Sequence, residues 1–240
     1  MMEIFPFETV YYSNEKIHFS EDHFKRLKRA CRTFHIPFEL SFIDFENSLK
    51  KYINKEFGGL KIIVENNNVF KIEEKEIRYS KELYKNGMKL CIAKTLRDKR
   101  NIFNYFKIQT ANIFHIEHNI AIKKGYDSCI IINNERQICE TVYANIFFRK
   151  GSEIYTPKIS CGLLNGIIRK NIKKYMKELG FELRYEHIYI NEINTFEECF
   201  ITNSIAGVFP VSVIQDTSFS KREFVNLINK VSKFIRPWNI

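Results

Sequence analysis

Apolar residues recur at intervals of three and four near the start of the chain, then at shorter intervals, and this change of period separates its elements. Phe24, Leu27, Cys31 and Phe34 share a helical face, which predicts a helix from about Glu21 to Phe34. Ser20 would cap it, acidic residues fill its first turn as the dipole favours, and Pro37 ends it. Phe45, Leu49, Tyr52, Ile53 and Phe57 predict a second helix that stops at Gly58-Gly59. The period then shortens. Leu60 to Glu65 and Val69 to Glu74 read as strands joined by a turn at Asn66-Asn67-Asn68, and Met88 to Ala93 reads as another strand. From Lys94 to Asn104 charges alternate without an apolar period, the pattern expected of a linker.

Beyond it the spacing predicts a helix from about Lys107 to Lys124, stopped by Gly125. Strands follow at 128–133, 137–140, 145–149 and 153–155, then a helix from Asn165-Gly166 through Leu179. Strands resume at 181–189, 198–202 and 208–214, and an amphipathic helix from Lys221 turns Phe224, Leu227, Ile228, Val231 and Phe234 inward. The expected architecture is α+β in two lobes, a small domain over 1–104 and a larger one over 105–240.

Composition changes this picture little. The 240 residues are 45% hydrophobic and 28% charged, as in ordinary globular chains. No apolar run is long enough to span a bilayer, and the start MMEIFPFETVYY lacks the basic and apolar regions of a secretory signal, so a cytoplasmic location is expected. Cys31, Cys91, Cys129, Cys139, Cys161 and Cys199 form no CxxC pair and read as buried free thiols. The net charge of +10 raises nucleic-acid binding as an alternative, but the lysines are interleaved with 28 acidic residues and no nucleic-acid motif is present. An anionic small molecule would be served equally well by such a field.

Lys107 stands out among the lysines because Asn104-Tyr105-Phe106 precede it and Ile108 follows. Partial burial there would free its amine as a nucleophile. Asn165 to Arg169 forms a loop entering a helix, whose first backbone N–H groups suit an anion, although an ordinary helix start looks the same. Thr202 to Gly207 is a small-residue turn with the same two readings. Arg26 is either a surface residue or a bidentate phosphate ligand. His115 and His118 share a helix face, but no third ligand lies nearby in sequence, so no metal site is expected.

Taken in order, these pieces resemble the fold-type IV family of pyridoxal-phosphate enzymes, which holds branched-chain and D-amino-acid aminotransferases and aminodeoxychorismate lyases. Phe7-Glu8-Thr9 is similar to the family's FET segment, and His23 to Leu27 to its H-x-x-R-L helix start. Lys107 falls where the family's cofactor-bearing lysine does. Gly125-Tyr126-Asp127, Glu140 and Asn145-Ile146-Phe147 follow, then Thr156-Pro157, Gly162 to Arg169, and Thr202-Asn203-Ser204 through Val211. The resemblance covers almost the whole chain. It implies a two-domain fold with a small α/β N-terminal domain and a larger C-terminal domain carrying a barrel-like sheet.

It further implies that Lys107 is the catalytic residue. Glu140 would face the pyridine nitrogen and keep it protonated. Arg26, the backbone of Ile167 and Ile168, and the turn of Asn203, Ser204 and Ile205 would hold the cofactor phosphate. Thr9, Arg97 and Arg100 are the substrate candidates. The chain departs from the family pattern at its early start, which implies a reduced small-domain sheet, and at Thr110, where the family often has asparagine. The R-x-H expected of a D-amino-acid aminotransferase is absent from Val69 to Glu74. Aminodeoxychorismate lyase is therefore the expected activity, with an anionic substrate and a homodimeric assembly. A class IV aminotransferase, a family member that binds cofactor without turnover, and a basic nucleic-acid-binding protein are the alternatives.

Overall fold

Phe5–Ser13, a stretch with no helical period, forms the strand (β1) on which the first part of the chain is built. The computed structural model describes residues 4–65, 70–109, 113–231 and 233–239. β1 pairs antiparallel with β2 (Lys16–Ile17), β3 (Phe57–Val64) and β6 (Ile108–Gln109), and β3 pairs with β4 (Phe70–Lys75). Two helices accompany this sheet, α1 (Ser20–Thr33) and α2 (Phe42–Lys50). Val10, Tyr12, Phe24, Leu27, Cys31, Phe45, Leu49 and Leu60 are buried in one cluster, with the Phe24 and Phe45 rings 5.3 Å apart. The expected turn at Asn66-Asn67-Asn68 and the departure at Thr110 lie outside the described residues.

Several local expectations change here. Ser20 does not cap α1, since Phe19 is the N-cap residue and makes no side-chain cap; the Ser20 hydroxyl instead donates to Glu46 Oε1 at 2.8 Å. The second helix ends at Lys50, and Phe57-Gly58-Gly59 belongs to β3. Gly58 sits across the strand pair from Tyr12, and a Cβ there would lie 2.4 Å from the Tyr12 hydroxyl. Glycine admits the tyrosine rather than stopping a helix. β1 itself escapes the period-two pattern because Val10, Tyr11 and Tyr12 are all buried in succession.

The chain divides into two compact units, Met1–Arg78 with Phe106–Ala111, and Tyr79–Tyr105 with Asn112–Ile240. These bounds differ from a single cut after residue 104. In the second unit α3 (Lys81–Asn86) leads into β5 (Met88–Ile92), which lies between β13 (Gly207–Ile214) and β7 (Ser128–Ile132), parallel to both. The remaining strands are β8 (Ile138–Thr141), β9 (Asn145–Lys150), β10 (Glu153–Pro157), β11 (Glu182–Glu186), β12 (Glu198–Asn203) and β14 (Thr217–Ser218). Among the described residues the sheet runs β11-β10-β9-β12-β13-β5-β7-β8, with β14 on β13. The helices are α4 (Ile113–Lys123), α5 (Ile167–Ile172) and α6 (Glu223–Ile228), and the class is α+β as expected. No helix among the described residues is long and apolar enough to cross a membrane.

The presumed linker is packed structure. Arg97 forms a bridge with Asn133, and Ile102–Tyr105 is a 3-10 helix whose Tyr105 hydroxyl donates to the Lys99 carbonyl at 2.7 Å. The six cysteines are free, and all but Cys91 are fully buried.

One buried ion pair joins two strands and a helix. Glu198 on β12 is opposite Arg149 on β9, whose Nε donates to Glu198 Oε2 at 2.7 Å. Glu198 also accepts the N–H groups of Phe224 and Val225 at 3.1 and 2.9 Å, capping α6, whose own N-cap residue supplies no side-chain bond. Glu198→Ala should cost roughly 3–5 kcal/mol in urea unfolding, because it removes the buried partner of Arg149 Nε and the cap of α6 together, leaving Arg149 only the more exposed Glu197 and Glu223 through Nη1. A loss under about 1 kcal/mol would show the pair to be dispensable.

Candidate active site

Each unit carries its own cluster of chemically capable groups. In the first, Glu8 points from β1 toward α1 and has no exposed surface. Arg26 grips it in a bidentate pair, Nε to Oε1 and Nη2 to Oε2, both at 2.6 Å. His23 Nδ1 donates to Oε2 at 2.7 Å, and no partner is found for its buried Nε2. Burial alone would raise the Glu8 pKa, but the Arg26 and His23 charges and hydrogen bonds overcome it and hold it down at about 2. Burial depresses His23 despite the pull of Glu8.

Lys107 belongs to the same unit. Contrary to the expected helix from about Lys107, it lies in coil before the two-residue β6, which pairs with Phe5 and Pro6 of β1. Its carbonyl accepts the Phe7 N–H at 3.0 Å, and its Nζ lies 4.4 Å from the centre of the Phe7 ring. Lys107 is half-buried. Thr9, two residues beyond Phe7 on β1, shares that strand face.

In the second unit the hub is Glu140 on β8. Arg97 Nη1 donates to Glu140 Oε1 at 2.7 Å and to the Gly162 carbonyl at 2.7 Å. Asn145 Nδ2 and the Leu164 N–H approach Oε2 at 3.1 and 3.3 Å. Asn145 Nδ2 also donates to the Leu164 carbonyl at 2.8 Å, so the carboxylate and the 162–166 loop are one network. Gly166 completes it, since a Cβ there would fall 2.1 Å from Asn145 Oδ1. Arg97, expected against substrate, is thus 7% exposed and committed to Glu140; Arg100 is exposed and paired with Asp98.

Gly166 is the N-cap residue of α5, and Ile167 and Ile168 are its first helical residues, whose N–H groups have no acceptor within the helix. Asn165 is not the cap. Its Oδ1 accepts from Arg169 Nη1 at 2.9 Å, while Arg169 Nη2 donates to the Pro157 carbonyl at 2.8 Å. The helix is shorter than expected, passing at Lys173 into a 3-10 turn. In the turn after β12, the Ile205 N–H donates to Asn203 Oδ1 at 3.0 Å, leaving Ser204 as the residue whose N–H and hydroxyl have no partner among the described residues. His115 and His118 face the Tyr143 ring, and no cluster of metal-ligating residues is found among the described residues.

Sequence reasoning gave no role to Glu8, His23 or Asn145. Glu8 carried a signal, being a lone carboxylate among the apolar residues of β1, whereas Asn145 shows its purpose only through its contacts with Glu140 and Gly166.

Glu8 and His23 make stability pH-dependent with one sign. Both folded pKa values lie below their unfolded ones, so the unfolded chain takes up more protons as pH falls. Stability is full above about pH 6.5, begins to fall as His23 of the unfolded chain protonates, and drops further between about 4.5 and 2. The Glu8 share is about 3 kcal/mol. Unfolding midpoints measured across this range should slope steeply in the wild type and flatten in Glu8→Gln; equal slopes would refute the assignment.

Known proteins supply the context for these two clusters. The family model described as amino-transferase class IV matches residues 6–214. A protein named probable branched-chain-amino-acid aminotransferase from Thermotoga maritima is 25% identical over 204 residues, 84% of this chain and 74% of that protein. The aminodeoxychorismate lyase of Bacillus subtilis is 29% identical over 93 residues, 39% of this chain and 32% of the lyase. Among solved structures, a candidate 4-amino-4-deoxychorismate lyase from Legionella pneumophila has a TM-score of 0.84 at 27% identity, covering 94% of this chain and 90% of that one. The match spans both units, and the chain belongs to the class IV aminotransferase family of pyridoxal-phosphate-dependent enzymes.

Proposed function

We propose that the chain is an aminodeoxychorismate lyase, releasing pyruvate from 4-amino-4-deoxychorismate to leave 4-aminobenzoate. The observation that carries this reading is the likeness to the Legionella candidate lyase, which extends over nearly the full length of both chains. The donor set fits a pyridine ring bearing a phosphate. Glu140 is a carboxylate whose two oxygens receive three donors, and Gly166 leaves room for Asn145 where any other residue would clash. The start of α5 and the Ser204 turn offer N–H groups suited to an anion.

Bound pyridoxal phosphate supplies an aldehyde that bonds an amine and a protonated ring that accepts electrons. In this reading Lys107 Nζ holds the cofactor and then carries the proton removed beside the substrate nitrogen. Glu140 keeps the ring nitrogen protonated, and Arg97 and Asn145 fix its carboxylate for that task. Arg26, with two nitrogens anchored on Glu8, the N–H groups of Ile167 and Ile168, and Ser204 bind the phosphate. Asn203 and Ile205 shape that turn. Thr9, on the strand face of Phe7, remains the best placed of the three substrate candidates.

The second reading, a branched-chain aminotransferase, rests on the Thermotoga relative, aligned over 84% of this chain. It uses Lys107 identically and differs in where the proton returns. Purified protein given pyridoxal phosphate should turn yellow, and borohydride followed by peptide mapping should label Lys107; a label elsewhere would sink the assignment. Lys107→Ala should lower turnover by at least about 10²–10⁴-fold. Pyruvate should appear from aminodeoxychorismate faster than keto acids appear from branched-chain or D-amino acids, and the reverse order would install the aminotransferase.

A further inference from the structure

Three consecutive carbonyls, those of Ser204, Ile205 and Ala206, are held by side chains from the end of the chain. Arg236 has no exposed surface. Its Nη2 donates to the Ser204 carbonyl at 3.1 Å and its Nε to the Ile205 carbonyl at 3.0 Å. Trp238 Nε1 donates to the Ala206 carbonyl at 3.2 Å. On the amide side, Asn203 Oδ1 takes the N–H groups of Ile205 and Ala206 at 3.0 and 2.7 Å. Asn203 is itself anchored, donating from Nδ2 to the Tyr79 hydroxyl at 2.8 Å and to the Tyr143 carbonyl at 3.2 Å. The Tyr79 ring packs 5.6 Å from Trp238, closing the circle.

Gly207 shows how closely the two segments fit. Its φ is +71°, and a Cβ there would lie 3.0 Å from the Phe234 carbonyl oxygen and 3.3 Å from Arg236 Cγ. Any side chain would strain the backbone and press the C-terminal segment away from the turn. Every polar backbone group from Ser204 O to Ala206 O is thereby committed inward. The N–H and hydroxyl of half-buried Ser204 stand outside this web, without partners among the described residues.

We propose that Arg236 is a positioning residue for phosphate recognition. By fixing the carbonyls of Ser204 and Ile205 it holds the Ser204 N–H and hydroxyl in the geometry that receives the cofactor's phosphate. This rests on the reading of Ser204 as a phosphate ligand. A turn left free to reorganise must be ordered when the anion arrives, and that ordering subtracts from affinity. A preorganised turn is ordered during folding instead.

The test compares pyridoxal phosphate with pyridoxal, which differs only in lacking the phosphate, by equilibrium binding to the full chain. Wild type should bind pyridoxal phosphate far more tightly than pyridoxal. Arg236→Gln should weaken pyridoxal phosphate by roughly tenfold, the scale of one hydrogen-bonding interaction, while pyridoxal changes by less than about twofold. Trp238→Phe keeps the ring against Tyr79 and loses only the bond to Ala206, so it should give the same split at smaller amplitude if Arg236→Gln does not fold. Equal weakening of both ligands, or no change in folded variants, overturns the proposal. Ser204→Ala separates the two readings. If it leaves the preference for the phosphate at the wild-type value, the Ser204 assignment falls with this one; if it lowers the preference while Arg236→Gln and Trp238→Phe leave it at the wild-type value, the Arg236 role alone falls.

Discussion

A carboxylate taken out of water stays ionised only where enough donors are aimed at it, and the arginine-paired carboxylates Glu8, Glu198 and Glu140 each organise their surroundings around that requirement. Glu8 binds Arg26 and His23, and so ties β1 to α1. Glu198 binds Arg149 and the first N–H groups of α6, tying β12 to β9 and to that helix. Glu140 binds Arg97, Asn145 and the Leu164 N–H, tying β8 to the 94–104 segment and to the loop that starts α5. In each case an arginine supplies the charge and a second class of donor completes the shell. Each cluster thereby defines a local geometry that the backbone must satisfy.

The clusters differ in what their geometry leaves over. Around Glu198 the donors are spent on architecture. Around Glu8, Arg26 remains partly exposed, its side chain 12% accessible, and the adjacent Lys107 lies over Phe7. Around Glu140 the side chain retains 13% exposure although both oxygens are engaged. The two clusters that keep some exposure are those whose residues fall on the family's motifs. A closed ion pair suits folding, while a partly open one can also meet a ligand.

The α+β class and most strands of the larger unit were legible in the sequence, because period-two and uninterrupted apolar runs such as Ser128–Ile132 report burial directly. What was not legible has a common cause. The 94–104 segment has no apolar period because Arg97 is buried through ion pairing and Phe114 ring contact rather than through apolar character. Gly58-Gly59 imitates a helix stop because the reason for glycine, Tyr12, is over forty positions away in the chain. Lys107 was found from its motif position, but its place beside β1 depends on pairing with Phe5 and Pro6 a hundred residues earlier. Arg236 offered no signal at all, since its partners are main-chain carbonyls that any sequence would supply.

The charge of the chain takes on a different meaning at this level. A net charge of +10 reads as a field for anions, yet three arginines are neutralised where they stand, Arg26 by Glu8, Arg97 by Glu140 and Arg149 by Glu198, and the buried Arg169 and Arg236 are spent on carbonyl and amide oxygens. Arginine suits these positions because its planar fork can serve several acceptors at once: both oxygens of Glu8 from Arg26, and a carboxylate together with a carbonyl from Arg97 and Arg149. The lysines that carry the excess charge are spread along the chain, where solvent and salt screen them. Recognition of an anion must therefore come from short-range geometry, from backbone N–H groups and hydroxyls held at fixed directions, rather than from the global field. That is the kind of recognition a tightly braced turn and an uncapped helix start can deliver.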